Sequence, residues 1–143
     1  MWGKRLLVTF VIFGLLVGGY VMYMRLMVNP RISEQIRTEP ESAAAARAML
    51  LIFADGREIP VNYLWEGNQV FAGADGRWWR AFRSGPTPVT LVIKGETYAG
   101  QATVELNDQS YVDDVFSRLR PTAPEWLPDW ANGKLVIVTL DEQ

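Results

Sequence analysis

A run of 19 residues without a charge, Leu6–Met24, limits what the first part of this chain can fold into. As an α-helix with a rise of about 1.5 Å per residue, the run is about 28 Å long, close to the ~30 Å hydrocarbon core of a bilayer. Lys4 and Arg5 precede the run and Arg25 follows it, so cations stand where the lipid headgroups begin. The run therefore predicts one transmembrane helix and a location in the cell membrane.

A cleaved signal peptide is the alternative for this segment. The apolar core of a signal peptide is about 7–15 residues long and is followed by small residues at the cleavage site. The run is longer than that, and mostly large residues follow it. We therefore expect an uncleaved, single-pass anchor over residues 1–28. The basic residues on its two sides, Lys4 and Arg5 against Arg25, Arg31 and Arg37, nearly balance and slightly favour a cytoplasmic domain.

The charge of the remaining chain and two missing residue types exclude several classes of function. Residues 38–143 carry nine Lys or Arg and fifteen Asp or Glu, and such an acidic body argues against nucleic acid as a partner. The chain has no Cys and no His. A Ser-His or Cys-His nucleophile, a Cys/His zinc site and a disulfide are therefore impossible. The sequence indicates no metal site and identifies no catalytic residue.

A linker is predicted over residues 29–48. Asn29-Pro30 predicts the end of the first helix, because the residue before a proline is pushed out of the α region. A polar stretch follows, and Ser42 is placed to cap a short alanine-rich helix from Ala43 to Met49. The third segment, residues 49–143, is expected to form the folded domain.

The hydrophobic pattern of this domain changes to a period of two, which is typical of strands. Six strands are expected at residues 50–53, 58–65, 69–73, 88–94, 96–105 and 134–140. Two short helices are expected at 77–84 and 109–120, the second capped by Asn107 or Asp108. Short turns between the strands favour antiparallel pairing, and a small sheet hides its edges best by closing. We therefore predict a mainly β (α+β) domain, a six-stranded antiparallel split barrel, with helix 109–120 across an open end or seam.

Several short motifs occur in a characteristic order between Gly56 and Glu105. They are Gly56-Arg57, Pro60-Val61-Tyr63, Glu66-Gly67, Ala72-Gly73-Ala74, Trp78-Trp79 and Gly85-Pro86. In this order and spacing the chain resembles the deazaflavin- or flavin-dependent nitroreductase family, which has the FMN-binding split-barrel fold. Two positions depart from the family pattern: its Gly-Arg-Lys-Ser-Gly turn is reduced to Asp55–Glu58, and Ala81 replaces an asparagine.

The resemblance implies a cofactor groove beside the second and third strands and the helix that follows them. A cofactor phosphate needs cations and close backbone approach, and a flavin ring needs aromatic neighbours. The candidate cofactor-binding residues are Arg57, Asn62, Tyr63, Gly73, Gly76, Arg77, Trp78, Trp79 and Arg80. The cofactor would be FMN or the deazaflavin F420.

Structural interpretations of the same residues stay open. Arg77, Arg80 and Arg83 also fit one solvated side of a short helix, and Trp78-Trp79 also fits a core position. Trp126 and Trp130 would plug one barrel end or contact the lipid interface.

Two functions follow from these observations. The first is a membrane-anchored flavin- or deazaflavin-binding oxidoreductase-like protein that reduces a quinone or nitro compound, with the cofactor carrying the electrons. The second is a cofactor-free split-barrel domain that acts as a binding or assembly module on the bilayer, which the reduced turn and the acidic body favour. The resemblance also implies a homodimer.

Overall fold

Antiparallel pairing joins each of the six strands to two neighbours. The computed structural model describes residues 2–123, 126 and 133–142. The strands are β1 (Ala48–Phe53), β2 (Glu58–Glu66), β3 (Gln69–Ala74), β4 (Thr87–Ile93), β5 (Glu96–Glu105) and β6 (Lys134–Leu140). They follow each other around a closed barrel in the order β1-β2-β3-β6-β5-β4, with β4 against β1. The predicted six-stranded antiparallel barrel is confirmed.

Alternate residues of each strand fill the inside of the barrel, as the period of two requires. In β1, for example, Met49, Leu51 and Phe53 are buried inside, while Leu50 is buried against a helix outside. The buried interior residues of the other strands are Val70, Ala72, Ala74, Val89, Leu91, Ile93, Ala102, Val136 and Val138. Burial of this apolar surface is the main favourable contribution to the fold.

The first helix continues past the proline that was expected to end it. Helix α1 (Trp2–Tyr23) leads through a π-helical turn (Met24–Val28) into helix α2 (Asn29–Thr38). In that turn the Asn29 N–H donates to the Met24 carbonyl oxygen, five residues back. The wide turn shifts the hydrogen-bond ladder, so Pro30 lies in the first turn of α2, where its missing N–H is tolerated. The prediction that Asn29-Pro30 ends the helix is wrong.

The helix Trp2–Thr38 is long and apolar enough to cross a membrane, with a mean hydropathy of 2.2 over its most apolar window. Every residue of α1 is exposed, whereas α2 packs on the outside of the barrel. Ile36 is fully buried there in a cluster with Ala48, Leu50 and Val92, from the outer faces of β1 and β4. The end of the long helix thus packs directly on the barrel wall.

A short helix, α3 (Ala43–Arg47), connects α2 to β1. The predicted cap is confirmed, because the Ser42 hydroxyl accepts a hydrogen bond from the Ala45 N–H at 3.1 Å. The helix ends two residues earlier than expected: Ala48 and Met49 belong to β1, where Met49 is fully buried inside the barrel.

Helix α4 (Gln109–Leu119) covers the outer face of β3 and β6. Its residues Val112, Val115 and Phe116 form a buried cluster with Phe71, Leu135 and Ile137. Asp108 is its cap and accepts a hydrogen bond from the Tyr111 N–H. Of the two expected positions, an open end or a seam, the open end is wrong: the helix packs on the wall over two paired strands, because its apolar stripe matches their outward side chains.

One end of the barrel is closed by a single 3₁₀ turn, Trp78–Phe82, which we call the cap helix. It is shorter than the helix predicted at 77–84. Phe82 is buried inside the barrel rim and stacks on Phe53, with ring centroids 5.7 Å apart. Trp126 is 79% exposed and closes no end, so of its two expected roles only contact with the lipid interface stays a prediction; Trp130 lies outside the described residues. The end that holds Phe53 and the cap helix is the cap end, and the opposite end is the far end.

Candidate functional site

A groove lies where the resemblance places a cofactor, beside β2, β3 and the cap helix. Its volume is about 270 Å³, and its lining residues are Pro60, Val61, Asn62, Gly73, Asp75, Gly76, Trp78 and Arg120. Four of the nine candidate residues, Asn62, Gly73, Gly76 and Trp78, therefore meet here. We call this hollow the β2–β3 groove.

The space above Gly73 is taken by a side chain of the protein. A Cβ added to Gly73 would lie 2.5 Å from Arg120 Nη2 and 2.9 Å from Phe116 Cε1. Arg120 follows α4, its guanidinium lies 5.2 Å from the centre of the Phe116 ring, and Nη2 donates to Asp75 Oδ2 at 3.0 Å. The glycine was expected from sequence to permit close approach, and it does so to an arginine that the sequence did not single out.

Arg57 is not part of the groove lining. It lies in the β1–β2 turn, where its Nε donates to Asp55 Oδ2 at 2.8 Å and its guanidinium lies 4.8 Å from the centre of the Phe53 ring. The Arg57 backbone N–H also donates to Asp55 and, together with the guanidinium, lowers the pKa of that carboxyl. The charge of Arg57 is thereby neutralised locally.

The tryptophans of the cap helix are half-buried, whereas the basic residues in and beside it are exposed. Trp78 and Trp79 are half-buried against the barrel interior, and Trp78 meets both Phe53 and Phe82 edge-on. Arg80 lies 5.7 Å from the centre of the Trp79 ring, and Lys134 Nζ lies 5.9 Å from it. Arg77 and Arg80 are exposed and do not line the β2–β3 groove.

Asn62 and Tyr63 lie on opposite faces of β2. Tyr63 points into the barrel, where burial raises the pKa of its phenol. Asn62 is exposed on the outer face and lines the groove. The alternation of the strand therefore separates these two candidate residues.

A larger hollow lies at the far end and was not anticipated from sequence. Its volume is about 580 Å³, and we call it the far hollow; its lining residues are Trp65, Gly67, Asn68, Thr97, Tyr98, Ala99, Leu140, Asp141 and Glu142. Trp65 meets Tyr98 edge-on at 4.9 Å between ring centroids and is 39% exposed. The Tyr98 hydroxyl donates to Glu96 at 2.7 Å, and this bond raises the pKa of Tyr98. An exposed ring, a half-buried ring and carboxylates thus line one hollow.

Metal binding finds no support among the described residues, where no three carboxylates converge on one point. Asp113 accepts a hydrogen bond from Gln109, and Asp114 pairs with Arg118. Arg118 also bonds both carboxylate oxygens of Glu66, which ties α4 to β2. These carboxylates have structural partners.

The comparisons with known proteins add little to this geometry. No protein-family model matches the chain, and no curated protein matches it. Among solved structures, the chain is similar to one assigned to general stress protein 26 from Jannaschia sp. CCS1, with 16% identity and a TM-score of 0.47. The match covers 77% of this chain and 71% of that one.

Proposed function

We propose that the protein is a membrane-anchored binding module, a cofactor-free barrel held at the bilayer that presents its far end to a cationic partner. The observation that carries the proposal is the unbroken course of the helix Trp2–Thr38 from a fully exposed apolar segment to Ile36, which is buried on the barrel wall. Because the junction is helical and packed, the barrel has a defined position relative to the membrane segment.

The far hollow supplies the binding surface. Trp65 and Tyr98 offer ring faces and edges, and Asp141 and Glu142 offer carboxylates, within one concave surface. Cations are attracted by aromatic rings and by carboxylates alike. The volume of about 580 Å³ lies within the range of about 300–1,000 Å³ that is usual for ligand sites. A segment rich in arginine or lysine is therefore the partner chemistry that this end suits.

The β2–β3 groove supports a function without a flavin. At about 270 Å³ it is smaller than the usual ligand site of about 300 Å³ or more. Among the described residues, its lining contains one cation, Arg120, which is bonded to Asp75, and Asp75 itself would repel a phosphate. The described lining therefore matches a flavin phosphate poorly.

The proposal is tested on the full-length protein in nanodiscs of zwitterionic lipid, titrated with tetra-arginine. We expect saturable binding that Trp65→Leu weakens by about threefold or more, through loss of the ring. Asp141→Asn should also weaken tetra-arginine binding, and this weakening should be smaller at high salt. Trp126→Leu, at an exposed tryptophan away from the hollow, is the control. Equal affinities for all four proteins would overturn the proposal.

A flavin- or deazaflavin-binding oxidoreductase-like protein is the second candidate, with a quinone or nitro compound as its substrate. The observation that favours this candidate is that one groove is lined by Asn62, Gly73, Gly76 and Trp78. Purified full-length protein would then be yellow or would bind added FMN or deazaflavin, and Asn62→Ala would weaken binding while Asn68→Ala would not. A colourless protein with no affinity for either cofactor would eliminate this candidate. The homodimer that the resemblance implies stays a prediction.

A further inference from the structure

The three arginines around the cap helix differ from the other arginines of the barrel. Arg77, Arg80 and Arg83 are exposed, and none forms an ion pair with any residue that the structure describes. The remaining arginines of the barrel wall behave differently: Arg57, Arg118 and Arg120 are all paired with carboxylates. The cap end therefore presents positive charge that is not neutralised, on a domain that is acidic overall.

The long helix leaves the barrel on the side of this cap end. Near its C-terminus, Pro40 lies close to Gly95, in the β4–β5 turn at the far end. Further back, Ile36 packs on Leu50 and its neighbours in the middle of the wall. Arg25 and Asn29, further back still, line a hollow with the start of β2 (Glu58–Pro60), and the side chain of Arg37 extends into the same hollow and forms an ion pair with Glu58. Glu58 pairs with Ile52, next to Phe53 at the cap end.

The end of the apolar segment therefore lies near the barrel rim that carries the cap helix. Arg25 and Glu58 line the same hollow, and Glu58 begins β2 at the cap end. The headgroup layer, which begins where the apolar segment ends, is about 5–8 Å thick in one leaflet.

The opposite end of the barrel carries more acidic than basic residues. Glu66, Glu96, Asp141 and Glu142 lie at or near the far end, with Lys94 in the β4–β5 turn and Arg118 paired with Glu66. At the cap end, Asp55, Glu58 and Asp75 are paired with arginines other than the three around the cap helix. Such a charge distribution favours one orientation of the barrel at an anionic surface, with the basic end inward and the acidic end outward. Trp79 beside Arg80 adds an amphipathic ring of the kind that is enriched at membrane interfaces.

We infer that the cap end of the barrel is a docking surface for anionic lipid headgroups, with Arg77, Arg80 and Arg83 against the lipid phosphates. The inference rests on the proposed membrane anchoring. The barrel lies against the leaflet, and each arginine favours this docked orientation by roughly fivefold. The far hollow consequently faces away from the bilayer.

The absence of cysteine from the chain makes a site-specific test simple. Ala81→Cys, at an exposed position between the arginines, carries a fluorescent label in full-length protein in nanodiscs that contain a lipid-borne quencher. Asn68→Cys at the far end is the matched control, and Phe13→Cys in α1 reports membrane insertion. The lipids are phosphatidylcholine alone or phosphatidylcholine mixed with phosphatidylserine.

We expect the Ala81 label to be quenched several-fold more in the anionic nanodiscs than in the neutral ones, and the Asn68 label to be unaffected. Replacing all three arginines by glutamine, or adding about 1 M salt, should abolish the difference. Quenching at Phe13 without quenching at Ala81 would overturn the docking surface and leave the anchor intact. No quenching at Phe13 would overturn both. Ala81 quenching that is the same in both lipids and independent of the arginines would also reject headgroup recognition.

Discussion

The ring of Phe82 lies parallel to the ring of Phe53, at an interplanar angle of 4° and a centroid distance of 5.7 Å. Phe53 ends β1 and Phe82 ends the cap helix, so this stacked pair joins the cap to the barrel interior. Truncation of Phe82 would leave a cavity at the rim. We expect Phe82→Ala to reduce the free energy of unfolding by about 3–5 kcal/mol.

Denaturant unfolding of the full-length protein in detergent, followed by tryptophan fluorescence, measures this loss. Trp126→Ala is the control, because it removes a large ring from an exposed position and should change stability little. If the two substitutions had equal effects, Phe82 would not be the residue that closes the barrel.

The packing of α2 on the barrel depends on Ile36. Its side chain is fully buried between Ala48, Leu50 and Val92. Ile36→Ala should therefore reduce the free energy that holds α2 on the wall by about 2–5 kcal/mol. Hydrogen exchange should then accelerate in α2 while the barrel strands stay protected. Gln35→Ala, on the exposed side of the same turn, is the matched control. Unchanged exchange in the Ile36 variant would contradict a packed junction.

The strands could be predicted from the sequence, whereas the helix boundaries could not be predicted equally well. The alternation in β5 is local, so its bounds, Glu96–Glu105, agree with those expected. The course of the helix past Pro30 depends on a π-helical turn and on burial of Ile36 against strands much later in the chain. Neither is visible in a local pattern.

The candidate site was predictable only in part, for the same physical reason. Asn62, Gly73, Gly76 and Trp78 belong to consecutive elements, and a barrel brings such elements together. Arg120 reaches Gly73 only because α4 packs on β3 and β6. The far hollow joins Trp65 and Tyr98, which lie at the same end of two strands that are not neighbours in the sheet.

Two of the glycines that face close neighbours, Gly73 and Gly100, should respond differently to alanine. At Gly100 an added Cβ would lie 2.6 Å from the Thr139 carbonyl oxygen, which is backbone of the paired strand β6. At Gly73 its nearest neighbours would be side chains: the end of Arg120, which can move away and give up its bond to Asp75, and the edge of the Phe116 ring at 2.9 Å. We expect a loss of about 3 kcal/mol or more for Gly100→Ala and about 1–2 kcal/mol for Gly73→Ala.

Thermal unfolding of both variants in detergent, with the wild-type protein alongside, ranks the two losses. A Gly73→Ala variant that is as unstable as Gly100→Ala would contradict this ranking and would show that Arg120 and the Phe116 ring cannot move to make room for the methyl group.

Acid should weaken the turn between β5 and α4 through Glu105. Its Oε1 accepts hydrogen bonds from the backbone N–H groups of Asn107, at 2.9 Å, and Asp108, at 3.0 Å, and these lower the pKa of Glu105 below its ordinary value of 4.5. A depressed pKa contributes stability above the unfolded value, which is lost as the pH falls through the folded value. The melting temperature of Glu105→Gln should therefore lie below that of the wild type at neutral pH, and the difference should shrink below about pH 4.5. Glu41→Gln is the control, because the Glu41 side chain makes no hydrogen bond to any described residue, and its melting temperature should show no such change. If the difference in melting temperature between Glu105→Gln and the wild type stayed constant with pH, the role of these two bonds would be refuted.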